Sequence, residues 1–277
     1  MPVNATRLIR KMRGGAQAHL LAADDGHCYV TKFSDNPQHR RILVNEWLAH
    51  TLLRYLQIPS PEVAVIQVSN EFLAKEQEVY YQMGARRQPV QPGWHFGSRF
   101  PGDPDHLAVY DYLPDTLLGK TANLRDFLGV LVFDKWVSNA DSRQAIFFRS
   151  RIRQFLELAD VSPQQKGFVT QMVDQGYIFS GPQWEFPDSP VQGLYFRPCV
   201  YTTVSGFADF EPWLNRVTEI PPEVLDEAWR RVPTVWLDDD GSALERLLET
   251  LYDRRKLVPD LLAACRLSSK NPFPQWQ

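Results

Sequence analysis

Two charged residues sit where the chain otherwise reads apolar: Lys32 inside YVTKF and Glu46 inside LVNEWL. A charge within an apolar run must be paired or must face a polar cleft, because burying it alone costs too much. The two would neutralise each other if the helix carrying Glu46 packs on the strand carrying Lys32. Taken singly, a strand Lys pointing to solvent and a helical Glu on a wet face are the ordinary readings.

Further along, FDKWVSNADSRQAIFF places Asn139, Asp141, Arg143 and Gln144 in a polar break between two apolar stretches, and MVDQG places Asp174 at a strand end. One short hairpin could bring the two carboxylates together. Phosphoryl transfer from ATP uses such a pair: one carboxylate orients or deprotonates the accepting hydroxyl, and the other holds magnesium against the phosphates. A helix C-cap at Asn139 and a turn-forming Asp-x-Gly at Asp174 explain the same residues without chemistry. The pair Gly14–Gly15 in RGGAQAH could face a phosphate with bare N–H groups, or could simply turn the chain. It lacks the GK[ST] ending of a P-loop and runs into a strand, which disfavours Walker and Rossmann binding.

The elements that must position these residues come next. ATRLIRKM (5–12), AHLLAA (18–23) and HCYVTKF (27–33) alternate like strands, with Asp25-Gly26 as a hairpin signal, and together predict an antiparallel sheet. Residues 39–57 carry Leu43, Val44, Trp47, Leu48, Leu52 and Tyr55 at helical spacing and stop before Pro59 and Pro61. EVAVIQV (62–68) reads as another strand. The Pro- and Gly-rich residues 86–106 read as a connection between two lobes. A helix over 121–138 follows, then short strands at AIFF and GFVTQMV, then amphipathic helices over PPEVLDEAWRRV and SALERLLETLYDRRKLVPDLLAAC. Asp134 and Lys135 read as a solvated or loop-supporting pair, and Arg143 as a phosphate neutraliser or a brace for Asp141.

Composition bounds the rest. The 277 residues are 44% hydrophobic, enough for a sizeable core, and a net charge of -3 lacks the basic footprint of direct nucleic-acid binding. Cys28, Cys199 and Cys265 are odd in number and scattered, which fits reduced thiols in a cytoplasmic protein. No apolar run is long enough to span a bilayer, so no membrane association is expected. The six His show no zinc-ligand spacing, and DDDG (238–241) reads as a helix cap.

Glycine loop, strand Lys, helix Glu, connection, Asn-x-Asp loop and apolar-Asp-x-Gly, in that order, resemble the protein-kinase-like fold. The wording YVTKF…NPQ…LVNE and FDKWVSNADSRQ…MVDQG is similar to that of the HipA-like kinases, bacterial relatives of the serine/threonine and phosphoinositide kinases, over about residues 8–265. The resemblance implies an α+β, bilobal protein-kinase-like fold, with an antiparallel-sheet N-lobe over 1–105 and a mainly helical C-lobe over 106–277. It implies ATP and Mg2+, with Lys32 on the phosphates and paired to Glu46, and the backbone of Gly14, Gly15, Ala16, Gln17 and Ala18 covering them. Asp141 would be the catalytic base, Asp174 the magnesium ligand, and HLAVYDYLP (106–114) would lie near the adenine hinge.

The implied acceptor is a protein Ser or Thr, with a small-molecule or lipid kinase and a nucleotide-binding pseudokinase as alternatives. The resemblance also leaves room for an antitoxin-like partner. One departure stands out: the family pattern Asp-x-His-x-x-Asn ends here on Ile146, which cannot bind a metal. Either Gln144 takes over through its amide oxygen, or only one metal is well held.

Overall fold

The computed structural model describes residues 1–158 and 160–277. It begins with five strands closed into a barrel in the order β1-β2-β3-β7-β4: β1 Val3–Lys11, β2 His19–Ala23, β3 Cys28–Lys32, β4 Val63–Val68 and β7 Gly93–Arg99. Four of the five pairings are antiparallel. The fifth, β1 with β4, is parallel, with Val3 opposite Ile66. The three strands expected to form an antiparallel sheet do so, and β7 and β4 close it into a barrel with one parallel seam. Closure removes the exposed edges that an open sheet would leave. Leu21, Tyr29, Phe33, Ile66 and Val68 fill the interior with Phe72 of α2 (Asn70–Lys75) and Tyr81 of β5 (Tyr80–Met83), which pairs with β6 (Arg86–Pro89).

β7 overturns the reading of residues 86–106 as a linker. Pro89, Pro92, Pro101 and Pro104 flank the strand without interrupting it, so the backbone N–H groups from Trp94 to Arg99 remain available for pairing with β3 and β4. Counting Pro and Gly over the whole stretch hid a central strand.

Helix α1 (Arg41–Leu56) ends at Gln57, which is left-handed at φ 58°, just before the predicted prolines. Nearly the whole helix is buried. Leu43, Val44, Leu48 and Leu52 belong to one large apolar cluster with Phe96 of β7 and with Phe127, Leu131 and Trp136 of α4 (Asp126–Trp136). Between them run the short β8 (Val109–Tyr110) and α3 (Asp115–Leu118).

After α4 the chain makes the hairpin of β9 (Gln144–Arg151) and β10 (Lys166–Val173), with β8 along its edge. Their register sets Gln144 opposite Val173, so Asp174 leaves the hairpin beside Gln144. The remainder is helical: α5 Trp213–Thr218, α6 Pro222–Arg230, α7 Gly241–Arg254 and α8 Val258–Leu267. The last predicted helix is thus two. Pro259 sits in the first turn of α8, where its missing N–H is harmless, whereas inside a continuous helix it would break a bond and clash.

Among the described residues no helix is long and apolar enough to cross a membrane.

Candidate active site

Lys32 is the last residue of β3, and its stem is buried against the barrel wall. Nζ hydrogen-bonds Glu46 Oε1 from the middle of α1 and Asp174 Oδ1 at 2.5 Å. One cation therefore serves two carboxylates. Burial pulls the Lys32 pKa down, but Glu46 and Asp174 together outweigh it and hold the ammonium well above its ordinary value. Lys32 lowers Asp174 below the usual carboxylate range against the opposing effect of burial. Glu46 is raised, because burial and the second carboxylate offset what Lys32 gives it. The triad as a whole carries one excess negative charge.

Asp174 adopts φ 59°, a left-handed conformation that Asp tolerates better than most residues, and this turn aims its carboxylate back at Lys32. Two residues on, Gly176 lies so close to α1 that a Cβ would come within 2.6 Å of Ile42 Cγ2. That close approach is the local reason for glycine in the Asp-x-Gly. Asn45, adjacent to Glu46 and buried, donates its amide to the carbonyls of Gly176 (2.8 Å), Ile178 (3.2 Å) and Gly181 (3.0 Å) and accepts from Trp184 Nε1 (2.8 Å). One helix thus holds the Lys32 ammonium through Glu46 and the backbone that follows Asp174 through Asn45.

Asp141 is half-buried. Its Oδ1 accepts the Ser142 N–H at 2.7 Å and its Oδ2 accepts Gln144 Nε2 at 3.3 Å. The Gln144 amide also lies near enough to Asp174 to help hold its carboxyl below the usual range, so it stands between the two acids. Beneath them lies a cluster that touches no cleft. Asp134, fully buried, is held by two guanidinium nitrogens of Arg143, with Nε at 2.8 Å, and by Asn139 Nδ2 at 2.9 Å. Arg143 continues to Gln175 Oε1 at 2.9 Å, the residue after Asp174. Asp134 is therefore a loop support and not a solvated residue, and Arg143 braces the loop from below. Lys135 donates to the carbonyls of Ser189 and Pro190, both at 2.9 Å. Ile146 packs against the apolar cluster of Phe148, Ile152 and Val169 and offers nothing polar.

The turn between β1 and β2 carries Gly14 at φ 120°. Within it the Gln17 N–H already donates to the Gly14 carbonyl (3.1 Å), and the Gln17 side chain makes two bonds to the Gln82 backbone (2.7 and 3.1 Å). Gln17 is thus committed to holding the turn onto β5, which narrows the expected phosphate cover. Ala16 and Ala18 are buried, while Gly14 and Gly15 are exposed.

Sequence pattern does not single out Asn45, Asp134 and Gln175 as functional positions in their own right. Asn45 and Asp134 nevertheless carry a signal of the Lys32 kind, a polar side chain inside an apolar helical run. Among the described residues no three His, Cys, Asp or Glu side chains form a metal cluster. The excess negative charge of the triad, the half-exposed Asp174 and the Gln144 amide oxygen fit a cation held by few protein ligands, its shell completed by phosphate and water oxygens.

A family model described as HipA-like kinase matches residues 5–147, just over half of the chain. Among solved structures, a Golgi casein kinase superposes with TM-score 0.52 at 10% identity, covering 97% of this chain and 72% of that one. A Golgi casein kinase with Mn/ADP bound gives 0.51 at 10% identity, with 98% and 74% covered. Hydra Fam20 with sugar gives 0.56 at 15% identity, with 97% and 87% covered. At such identities the likeness bears on the fold alone, which is kinase-like. Among curated proteins no sequence matches the chain.

Proposed function

The chain belongs to the HipA-like kinase family, and from that premise we propose that it transfers the γ-phosphoryl group of ATP to the hydroxyl of a protein Ser or Thr. The observation that carries the reading is the arrangement of Lys32, Glu46 and Asp174 with Gln144 leading to Asp141. The phosphates would lie between the residues 14–18 turn and Asp174. The two sides of that cleft are proposed as an N-terminal lobe over 1–105 and a C-terminal lobe over 106–277.

Lys32 neutralises phosphate charge, and Glu46 fixes the direction of its ammonium. The Asp141 carboxylate orients the acceptor hydroxyl and takes its proton as the new O–P bond forms. The bond from phosphorus to the leaving oxygen of ADP breaks in the same displacement. Asp174 and Gln144 are the residues that would hold Mg2+. When bound, it supplies charge neutralisation for the phosphates. The remaining contribution is alignment and fixed electrostatics from side chains already held in place. A Golgi casein kinase, with the same kind of fold, is seen with Mn/ADP bound, in keeping with nucleotide use on such a scaffold.

A second reading, nucleotide binding without transfer, is favoured by Ile146, whose apolar packing removes one metal ligand of the family pattern. One experiment separates the two. Thermal stabilisation by ATP with and without Mg2+, together with phosphate release and autophosphorylation, is followed in wild type, Asp141→Ala and Asp174→Ala. Asp141→Ala keeps nucleotide binding and loses transfer by about 100-fold or more. Asp174→Ala loses the Mg2+-dependent part of the stabilisation. Turnover that survives in Asp141→Ala removes that residue from the mechanism, and binding without turnover in wild type selects the second reading.

A further inference from the structure

Gln38 belongs to the Asn36-Pro37-Gln38 stretch joining β3 to α1 and takes no part in the triad. Its backbone is firmly placed. Buried Asn36 donates Nδ2 to the Phe33 carbonyl at 2.9 Å and accepts the Gln38 N–H on Oδ1 at 2.8 Å, while Pro37 between them fixes its own φ. The side chain leaves this rigid turn toward the β1–β2 turn. The amide comes close beneath Gly15, where a Cβ would lie 2.7 Å from Gln38 Nε2.

On the opposite side, Nε2 reaches Tyr177 Oη at 3.4 Å, the outer limit of a hydrogen bond. Tyr177 follows Asp174 by three residues, and its carbonyl accepts the Ala140 N–H at 3.0 Å, one residue before Asp141. The Gln38 amide therefore sits where the glycine turn, the Asp141 loop and the segment after Asp174 converge. Its backbone is fixed by short bonds, whereas its donor group makes only a long one.

We propose that Gln38 Nε2 donates a hydrogen bond to the terminal phosphoryl group of the bound nucleotide, and so distinguishes a triphosphate from a diphosphate. The proposal rests on the phosphotransfer reading given above. A neutral amide suits this role because it adds a directed donor at the charged group without competing with Lys32 for Glu46 and Asp174. Gly15 keeps the roof low over that donor.

The test measures binding of ADP and of a non-hydrolysable ATP analogue, both with Mg2+, by calorimetry to wild type, Gln38→Ala and Gln38→Glu. Melting temperatures check that each variant is folded. Gln38→Ala is expected to weaken the triphosphate about tenfold, the range of one hydrogen bond to a charged group, and to leave ADP within about twofold. Gln38→Glu, nearly equal in size, is expected to weaken the triphosphate further, since a carboxylate has no donor and repels phosphate. A residue that merely props the glycine turn would change both nucleotides alike in Gln38→Ala and be rescued by the similar shape of Glu, and that result overturns the assignment. Variants indistinguishable from wild type overturn it as well, while leaving phosphotransfer standing. A wild type that binds neither nucleotide defeats the phosphotransfer reading and the Gln38 assignment together.

Discussion

Around Lys32 one cation serves two carboxylates, one of them half-exposed, whereas around Asp134 a carboxylate and the Arg143 guanidinium match one for one with no exposed side-chain surface. The two clusters are joined through the adjacent residues Asp174 and Gln175. The balanced cluster has nothing left to offer a ligand. Its geometry, with Asn139 and Gln175 attached, fixes the two loops that carry Asp141 and Asp174. The unbalanced cluster keeps an excess negative charge at a half-exposed carboxylate, where an added cation is favoured. Charge balance thus separates the support from the proposed reactive centre more clearly than burial does, because Lys32 and Glu46 are themselves buried.

Substitutions can break that contrast. The largest effect is expected from Asp134→Ala, which strands a buried guanidinium and should cost about 3–5 kcal/mol of unfolding free energy. Urea denaturation measures it, and a loss under about 1 kcal/mol would deny Asp134 its supporting role. Next is Lys32→Met, which leaves two carboxylates facing each other without a cation. About 3 kcal/mol should be lost at pH 7. The loss should be smaller in acid than at neutral pH, because a buried carboxylate raised above its unfolded pKa gains a proton on acidification and stability then recovers. An equal loss at pH 4 and pH 8 would argue against that account.

Asp126 sharpens the comparison as a carboxylate bonded to an amide but to no cation. Burial raises it from 3.8 to about 6, opposed by the Asn123 amide at 2.8 Å and by Arg125. The folded pKa is the higher one, so stability should fall as pH rises from about 4 to about 6 and then level off. Its position in the first turn of α4 and its partial exposure offset much of this. Asp126→Asn should therefore gain only about 1 kcal/mol at pH 7 and nothing at pH 4, read from melts at the two values. The smallest effect is Asp174→Asn without nucleotide, within about 1 kcal/mol, since Glu46 still pairs with Lys32. A large destabilisation there would make Asp174 structural.

Some of this is legible in the residues themselves. Lys32, Glu46, Asp141 and Asp174 each interrupt or end an apolar run, and such interruptions are visible without coordinates because the cost of burying charge is local. The same signal lies at Asn45 and Asp134 but is ambiguous there between solvent and support, since a helical period does not say how many faces of a helix are covered. α1 and α4 are buried nearly all round. The strand at 93–99 is hidden because turn-forming residues border it on both sides.

By itself the sequence determined which side chains could not remain unpaired if buried, where α1 had to stop, and an order of motifs similar to that of a kinase family. Tertiary structure alone decided the partners. Closing the barrel by a parallel seam, setting Gln144 opposite Val173 and wedging Gln38 under Gly15 depend on contacts between distant segments. Periodicity reports only on a residue's own element, whereas pairing follows from which surfaces exclude water together when the chain packs.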